Sequence, residues 1–425
     1  MWEKLKNVWR VKEVRNGLIF VFSMMVIFRL CANIPLPGID LIALRRFFDS
    51  NQLMGMLNLF SGGTFRTFSI VAMGVAPYIT ASIIFQLLGM IIPRIEEIQK
   101  EGESGQRRIN QWTRLLTVPL AIIQSFSIVQ ILRQSQQHIL TDTNLLHMVT
   151  LFFTVTAGTM LLMWIGELIS EKKVGNGVSL LIFAGILANL PNSISQFTAT
   201  YDPSQFFTVL LYVAVAIIMI VGVVFVTEGQ RNVPVQYARQ TRGMSGGTGG
   251  VISSLPLRVN MVGVIPIIFA ISLLIFPTVI AQFLVRAKTA WVVSVAQWVI
   301  LTLQNQLIYG LLYFLLVVGF TYFYTAVVFH PERIAENLQK QGGFVPGIRP
   351  GKPTAEYLQH IIQRITLGGA VFLGLIAVMP MAVQGFTGTR ALAMGGTSLL
   401  IVVSVVIESV KQIESQLTMR DYDMY

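Results

Sequence analysis

The chain has 425 residues, 54% hydrophobic and only 12% charged, with a mean hydropathy of +0.67. That balance describes an integral membrane protein and excludes an ordinary water-soluble globule. The net charge of +11 reads mainly as a signal of membrane orientation, with a basic face for nucleic acid as the secondary possibility. Cys31 is the single cysteine, which excludes intramolecular disulfides and cysteine-cluster metal sites, and the four histidines are scattered without ligand spacing.

Ten apolar runs approach or exceed the roughly 20 residues that cross about 30 Å of hydrocarbon. They lie at about 17–36, 69–92, 113–132, 147–168, 178–197, 205–227, 261–284, 306–328, 366–385 and 393–411. The basic N-terminus lacks a small-residue cleavage site, so the first run reads as a retained helix. With ten spans both termini share one side. That side carries 23 of the lysines and arginines and the opposite loops carry seven, which predicts cytoplasmic termini.

In chain order, the outer loop 37–68 contains an apolar stretch, 55–65, too short to span. It reads either as an interfacial segment or as a re-entrant piece folded into the protein. Direct continuity into Pro77 favours the second. Span two opens with Gly74-Val75-Ala76-Pro77-Tyr78-Ile79, and span seven, 189 residues later, opens with Gly263-Val264-Ile265-Pro266-Ile267-Ile268. A freed glycine backbone followed by a proline predicts a broken helix, and two such words predict an internal repeat with a pathway at its interface. The inner loop 227–259 alternates Val233, Val235 and Tyr237, then Val251, Ile252 and Leu255, around a glycine-rich tip, which predicts a projecting β-hairpin. The inner loop 330–366 carries Gly342-Gly343-Phe344-Val345-Pro346-Gly347-Ile348-Arg349-Pro350-Gly351-Lys352, a rigid irregular segment presenting Arg349 and Lys352.

Catalytic readings fail. Gly243-Met244-Ser245-Gly246-Gly247 fits the serine-nucleophile pattern but sits in a loop tip without a strand-to-helix elbow or matched histidine. Gly351-Lys352 is followed by Pro353, with the wrong glycine spacing for a phosphate loop. A secondary transporter is the stronger rival and would use intramembrane charges, for which Arg29 and Glu408 are the candidates. The residues at the repeated words are instead apolar: Ile79, Ile83, Ile268 and Phe269. They suit a dewetting gate better than a site for a polar solute.

Eight motifs in order resemble the SecY family of bacterial protein translocon channels. They are Ile34-Pro35-Leu36-Pro37-Gly38-Ile39-Asp40; Phe60-Ser61-Gly62-Gly63; Pro77-Tyr78-Ile79-Thr80-Ala81-Ser82-Ile83-Ile84; Gly166-Glu167 with Gly175-Asn176-Gly177; Pro234-Val235-Gln236-Tyr237; Val259-Asn260-Met261 with the second repeated word; Gly347-Ile348-Arg349-Pro350-Gly351; and Gly395-Gly396-Thr397-Ser398-Leu399-Leu400-Ile401-Val402. The resemblance implies an all-α polytopic membrane protein of ten transmembrane helices in two pseudo-twofold-related halves, 1–200 and 201–425, with a short plug helix at about 55–68 and protruding cytoplasmic loops. It implies a non-enzymatic protein-conducting channel without cofactors. Its pore ring would be Ile79, Ile83, Val178, Ile182, Ile268 and Ile401. Its plug would include Leu57, Asn58, Leu59, Phe60, Ser61, Gly62, Gly63, Thr64 and Phe65. Spans two and three against seven and eight would form a lateral gate to lipid. Arg239, Arg242, Arg349 and Lys352 would dock the SecA motor ATPase or the ribosome, although the hairpin tip is unusually glycine-rich and thinly charged for the family. The remaining implied partners are SecE-like and SecG-like small membrane subunits, signal sequences, translocating polypeptides and the bilayer. The implied location is the bacterial inner (plasma) membrane.

Overall fold

The computed structural model describes residues 9, 11–50, 61, 63–65, 67–133, 139, 144–200, 206–237, 251–285, 289–387 and 390–423. The first half comprises α1 (Lys12–Ala32), α2 (Leu41–Ser50), α3 (Ala76–Ile91), α4 (Pro93–Lys100), α5 (Glu103–Arg133), α6 (Leu145–Glu171) and α7 (Gly177–Thr200). The second opens with α8 (Phe206–Glu228), β1 (Gln230–Tyr237), β2 (Val251–Arg258), α9 (Ile265–Leu284), α10 (Ala290–Gln304) and α11 (Gln306–Val328). It ends with α12 (Pro331–Lys340), β3 (Gly343–Phe344), α13 (Lys352–Thr387) and α14 (Arg390–Asp423).

Each predicted apolar run coincides with a helix. Among the described residues, six helices are long and apolar enough to cross a membrane by themselves, and α3 with α4, bent by 109°, makes a seventh. The runs at 178–197, 261–284 and 393–411 are helical without meeting that test. Among the described residues, four further helices were not predicted. α2 is nucleated by Asp40, whose Oδ1 accepts from the amides of Ile42 at 2.8 Å and Ala43 at 3.2 Å. α4 and α12 each start on a proline with a glutamate in the first turn. α10 is apolar but only 15 residues long, with Trp291 and Trp298 both exposed.

The repeated word starts helices and does not break them. Pro77 and Pro266 each occupy the second helical position, where the missing N–H has no intrahelical partner to lose. The backbone is the same in both copies. Gly74 has φ +59° and Gly263 φ +66°. Val75 follows at φ −98°, ψ 5°, and Val264 at φ −92°, ψ −5°. The amide of Ile79 then donates to Val75 O at 3.0 Å, and that of Ile268 to Val264 O at 3.2 Å. What holds each glycine differs. Thr64 Oγ1 ties the first word's approach by donating to Ala72 O at 3.0 Å. In the second, Asn260 Oδ1 accepts from Gly263 N at 2.9 Å.

The packing repeats with the word. In the first half α3 lies on α5, α5 on α6 and α6 on α7, with α1 against α6 and α7. In the second, α9 lies on α11, α11 on α13 and α13 on α14, with α8 against α13 and α14. The halves meet where α3 and α5 touch α9, and where α14 touches α7 and α1. The predicted hairpin forms in register from Gln230 opposite Arg258 to Tyr237 opposite Val251. It also pairs with β3 through Gln236 and Tyr237, giving the strand order β2-β1-β3. Val233, Leu257, Val345, Leu358, Ile361 and Ile362 form a separate small core beneath it. The described parts of the two predicted loops are therefore joined by strand pairing and packed on α13.

An alanine Cβ at position 263 would meet only the Glu408 carboxylate, at 3.9 Å, whereas one at 74 would lie 2.8 Å from Ser61 Cα. Gly263→Ala is expected to cost about 1–2 kcal/mol for the left-handed backbone alone. Gly74→Ala is expected to cost more and to lower the thermal unfolding midpoint in detergent further. Equal shifts would contradict this packing.

Candidate functional site

All six residues expected to form the ring lie in or against one large apolar cluster. Ile79 and Ile268 occupy the first turns of α3 and α9, so the repeated backbone presents them equivalently, and Ile83 lies one turn after Ile79. Val178 and Ile182 are one turn apart on α7, and Ile401 lies within α14. Ile79, Ile182, Ile268 and Ile401 are buried in one apolar cluster, with Ile83 and Val178 partly buried against it.

Local sequence explains how α7 delivers its pair. Any side chain at Gly177 would collide with the Gly166 carbonyl, so the α6–α7 hairpin closes tightly only with glycine there. Ser170 Oγ seals it, donating to Gly166 O and accepting from Gly177 N, both at 2.9 Å. Asn176 Oδ1 then accepts from Ser179 N at 3.2 Å, starting α7 just before Val178. Beside Ile268, Phe269 packs edge-on against Phe320 and Tyr324, each with ring centroids 5.9 Å apart.

Of the residues expected in the plug, Leu57, Asn58, Leu59, Phe60 and Gly62 lie outside the described residues. Ser61, Thr64 and Phe65 are buried. The one Thr64 hydroxyl proton is shared between Ser61 O at 2.8 Å and Ala72 O, and Phe65 joins a second core with Leu36, Leu44, Phe68 and Leu151. Ser61, with Phe28, Gly74, Val75, Leu162, Leu181 and Ile182, lines a small cavity beside the ring. These described residues are folded into the protein, and the greater part of the 55–65 stretch lies outside the described residues.

Arg239 and Arg242 lie outside the described residues. Arg349 and Lys352 are exposed at the rim of the three-stranded body, and Thr354 Oγ1 donates to Arg349 O at 2.8 Å, fixing the turn into α13. Among the described residues no His, Cys, Asp or Glu group is placed to hold a metal. Sequence reasoning missed the polar ties between helices. Arg114 of α5 meets Glu167 of α6 at 2.6 Å, and Lys411 of α14 meets Glu228 of α8 at 2.9 Å. Gln416 Nε2 donates to Lys173 O at 2.8 Å, binding the end of α14 to the α6–α7 turn. Opposite charges at the ends of neighbouring spans were the available signal.

Residues 69–410 match the SecY family model. The protein translocase subunit SecY of Streptomyces galbus is 44% identical over 434 residues, 98% of each chain. The chain belongs to the SecY family. The SecY of Mycobacterium tuberculosis is 42% identical over 97% of each chain, and that of Halalkalibacterium halodurans 43% over 99%. The fold of this SecY-family chain also matches solved structures of low sequence identity. A protein-conducting channel aligns with TM-score 0.63 and 18% identity, over 94% of this chain and 91% of its own. Sec61 from the canine ribosome–channel complex aligns with TM-score 0.60 and 17% identity over the same shares. The chain is an all-α polytopic membrane protein.

An asparagine at the ring would bring a polar amide into the apolar cluster and favour water there. Ile268→Asn is expected to raise resting ion conductance in planar bilayers about tenfold, since dewetting is the barrier to ions in an apolar constriction. An unchanged leak would remove Ile268 from the seal.

Proposed function

We propose that this SecY-family chain is a protein-conducting channel, not an enzyme. It passes unfolded secretory polypeptides across the bacterial inner membrane and releases hydrophobic segments sideways into lipid. The observation that carries the proposal is one apolar cluster drawn from both halves that buries Ile79, Ile182, Ile268 and Ile401, with Ile83 and Val178 partly buried against it. In this reading ten spans divide into halves at about residue 200, both termini are cytoplasmic, and the ring closes the waist. The segment around Ser61–Phe65 plugs the outer funnel, and α3 and α5 part from α9 and α11 as the lateral gate.

An apolar ring suits this task because it excludes ions by dewetting yet makes no hydrogen bonds that would favour one passenger sequence. A signal sequence's apolar stretch of roughly 7–15 residues would enter at the gate and widen the ring. Sorting between secretion and insertion then follows partition. Leu or Ile at a span centre contributes about −0.3 to −0.6 kcal/mol and a charge costs about +2.5 to +3.5, so one charge offsets several leucines.

Energy comes from a partner. Arg349 and Lys352, with Arg239 and Arg242, would dock the SecA motor ATPase or the ribosome, and SecE-like and SecG-like subunits complete the complex. The test is ATP-driven import of a secretory precursor into proteoliposomes holding the full complex. The proposal predicts signal-dependent protection of the precursor from protease, and absence of import overturns it. Arg349→Glu should lower that import about tenfold, the effect of losing some 1.4 kcal/mol at a charged contact, with the fold intact. Normal import by the variant would remove Arg349 from docking.

A further inference from the structure

We propose that Glu408 binds a cationic side chain, lysine or arginine, of the polypeptide entering the channel, on the cytoplasmic side of the ring. The inference rests on the channel reading and adds a site to it. Ile401, Ser404 and Glu408 fall at i, i+3 and i+7 on α14 and so share one face of that helix. Ile401 on this face is buried in the ring cluster. Glu408 follows two turns later, about 10 Å along the axis at 1.5 Å per residue, toward the cytoplasmic end.

A carboxylate within a membrane helix is retained at a cost and marks a pathway or a partner. Here the resident cations are placed elsewhere. Lys411, the basic residue nearest on the same helix, is held by Glu228 at 2.9 Å and Thr227 O at 3.4 Å. Among the described residues no ion pair engages Glu408. Its Oε2 reaches instead toward Gly263, 3.9 Å from where a Cβ would be, with the Tyr324 phenol within electrostatic range. Gly263 opens the α9 segment that carries Ile268, so the carboxylate spans from α14 to the mouth of the opposing ring helix. Glycine there leaves the space open.

A second observation points to a ligand. Ser404, on the same face between the ring and Glu408, is 3% exposed, and its hydroxyl has no hydrogen-bond partner. Burying an unpaired hydroxyl is unfavourable. Such a group beside a carboxylate offers a second oxygen to an ammonium or guanidinium, which brings several donors and no acceptor.

The chemistry matches what enters. A signal sequence places its basic residues immediately before its apolar stretch. With that stretch at the ring, a lysine or arginine one to two turns behind it stands level with Glu408. The ion pair would hold the basic end on the cytoplasmic side while the apolar stretch partitions.

The experiment uses the full translocation complex, with this chain as its sole channel subunit. Three secretory reporters share one apolar stretch and differ in the preceding segment: two lysines, none, or two glutamates. Glu408→Gln is expected to lower export of the lysine reporter about fivefold, the order of one half-desolvated ion pair, and to leave the neutral reporter unchanged. Glu408→Lys is expected to raise export of the glutamate reporter above the wild-type level. Equal effects on all three reporters, or none on any, would overturn the site and leave Glu408 a structural carboxylate. Failure of the wild-type chain to export any reporter would instead overturn the channel reading.

Discussion

A helix that begins inside a membrane must start without help from water, and this fold solves that problem twice in the same way. Glycine takes the left-handed backbone, valine caps, and proline occupies a first-turn position that demands no N–H bond. The approaches to the two starts are then satisfied by different side chains, Thr64 in one half and Asn260 in the other. Because Ile79 and Ile268 follow each proline by two residues, the device that starts each helix also aims an isoleucine at the interface of the halves. The other residues proposed for the ring join the same apolar cluster by other means. The tight Gly166–Gly177 crossing sets Val178 and Ile182, and α14 packing on α7 and α8 sets Ile401.

The consequence is a centre built mainly of buried apolar side chains, bordered by polar ties at the helix ends. Arg114–Glu167, Lys411–Glu228 and Gln416 with the Lys173 carbonyl join helices within and between the halves near the predicted cytoplasmic ends. Apolar contact is non-directional, so the centre can rearrange without unmaking hydrogen bonds. The polar ties and the β2-β1-β3 body on α13 fix geometry at the face proposed for a partner. A soft middle between firm ends is what a channel for varied polypeptides requires.

Much of this was legible before any coordinates. The two G-V-x-P-x-I words carried the repeat, because a glycine–proline pair at the head of an apolar run has few structural uses. Alternation around Val233 and Val251 carried the hairpin, since period-two patterning has one common meaning. The role of proline in the word was misread as a break, because the sequence does not say on which side of the residue the helix lies. α10 was invisible for a different reason: its 15 apolar residues fit a short buried helix or a fragment of a span equally well. The union of the two predicted inner loops through β3 depends on a two-residue strand, Gly343–Phe344, which leaves no periodicity to detect. The polar ties pair residues up to 243 positions apart and are written in no local pattern.

The central claim is that a polypeptide passes between the equivalent isoleucines of the two halves. The measurement that tests it most directly is photo-crosslinking of a stalled secretory chain to a probe placed at Ile79, and separately at Ile268. The account predicts crosslinks at both positions that disappear when the signal sequence is inactivated. Absence of crosslinks at either position, together with uptake of a small solute by the reconstituted protein, would contradict it and favour a transporter.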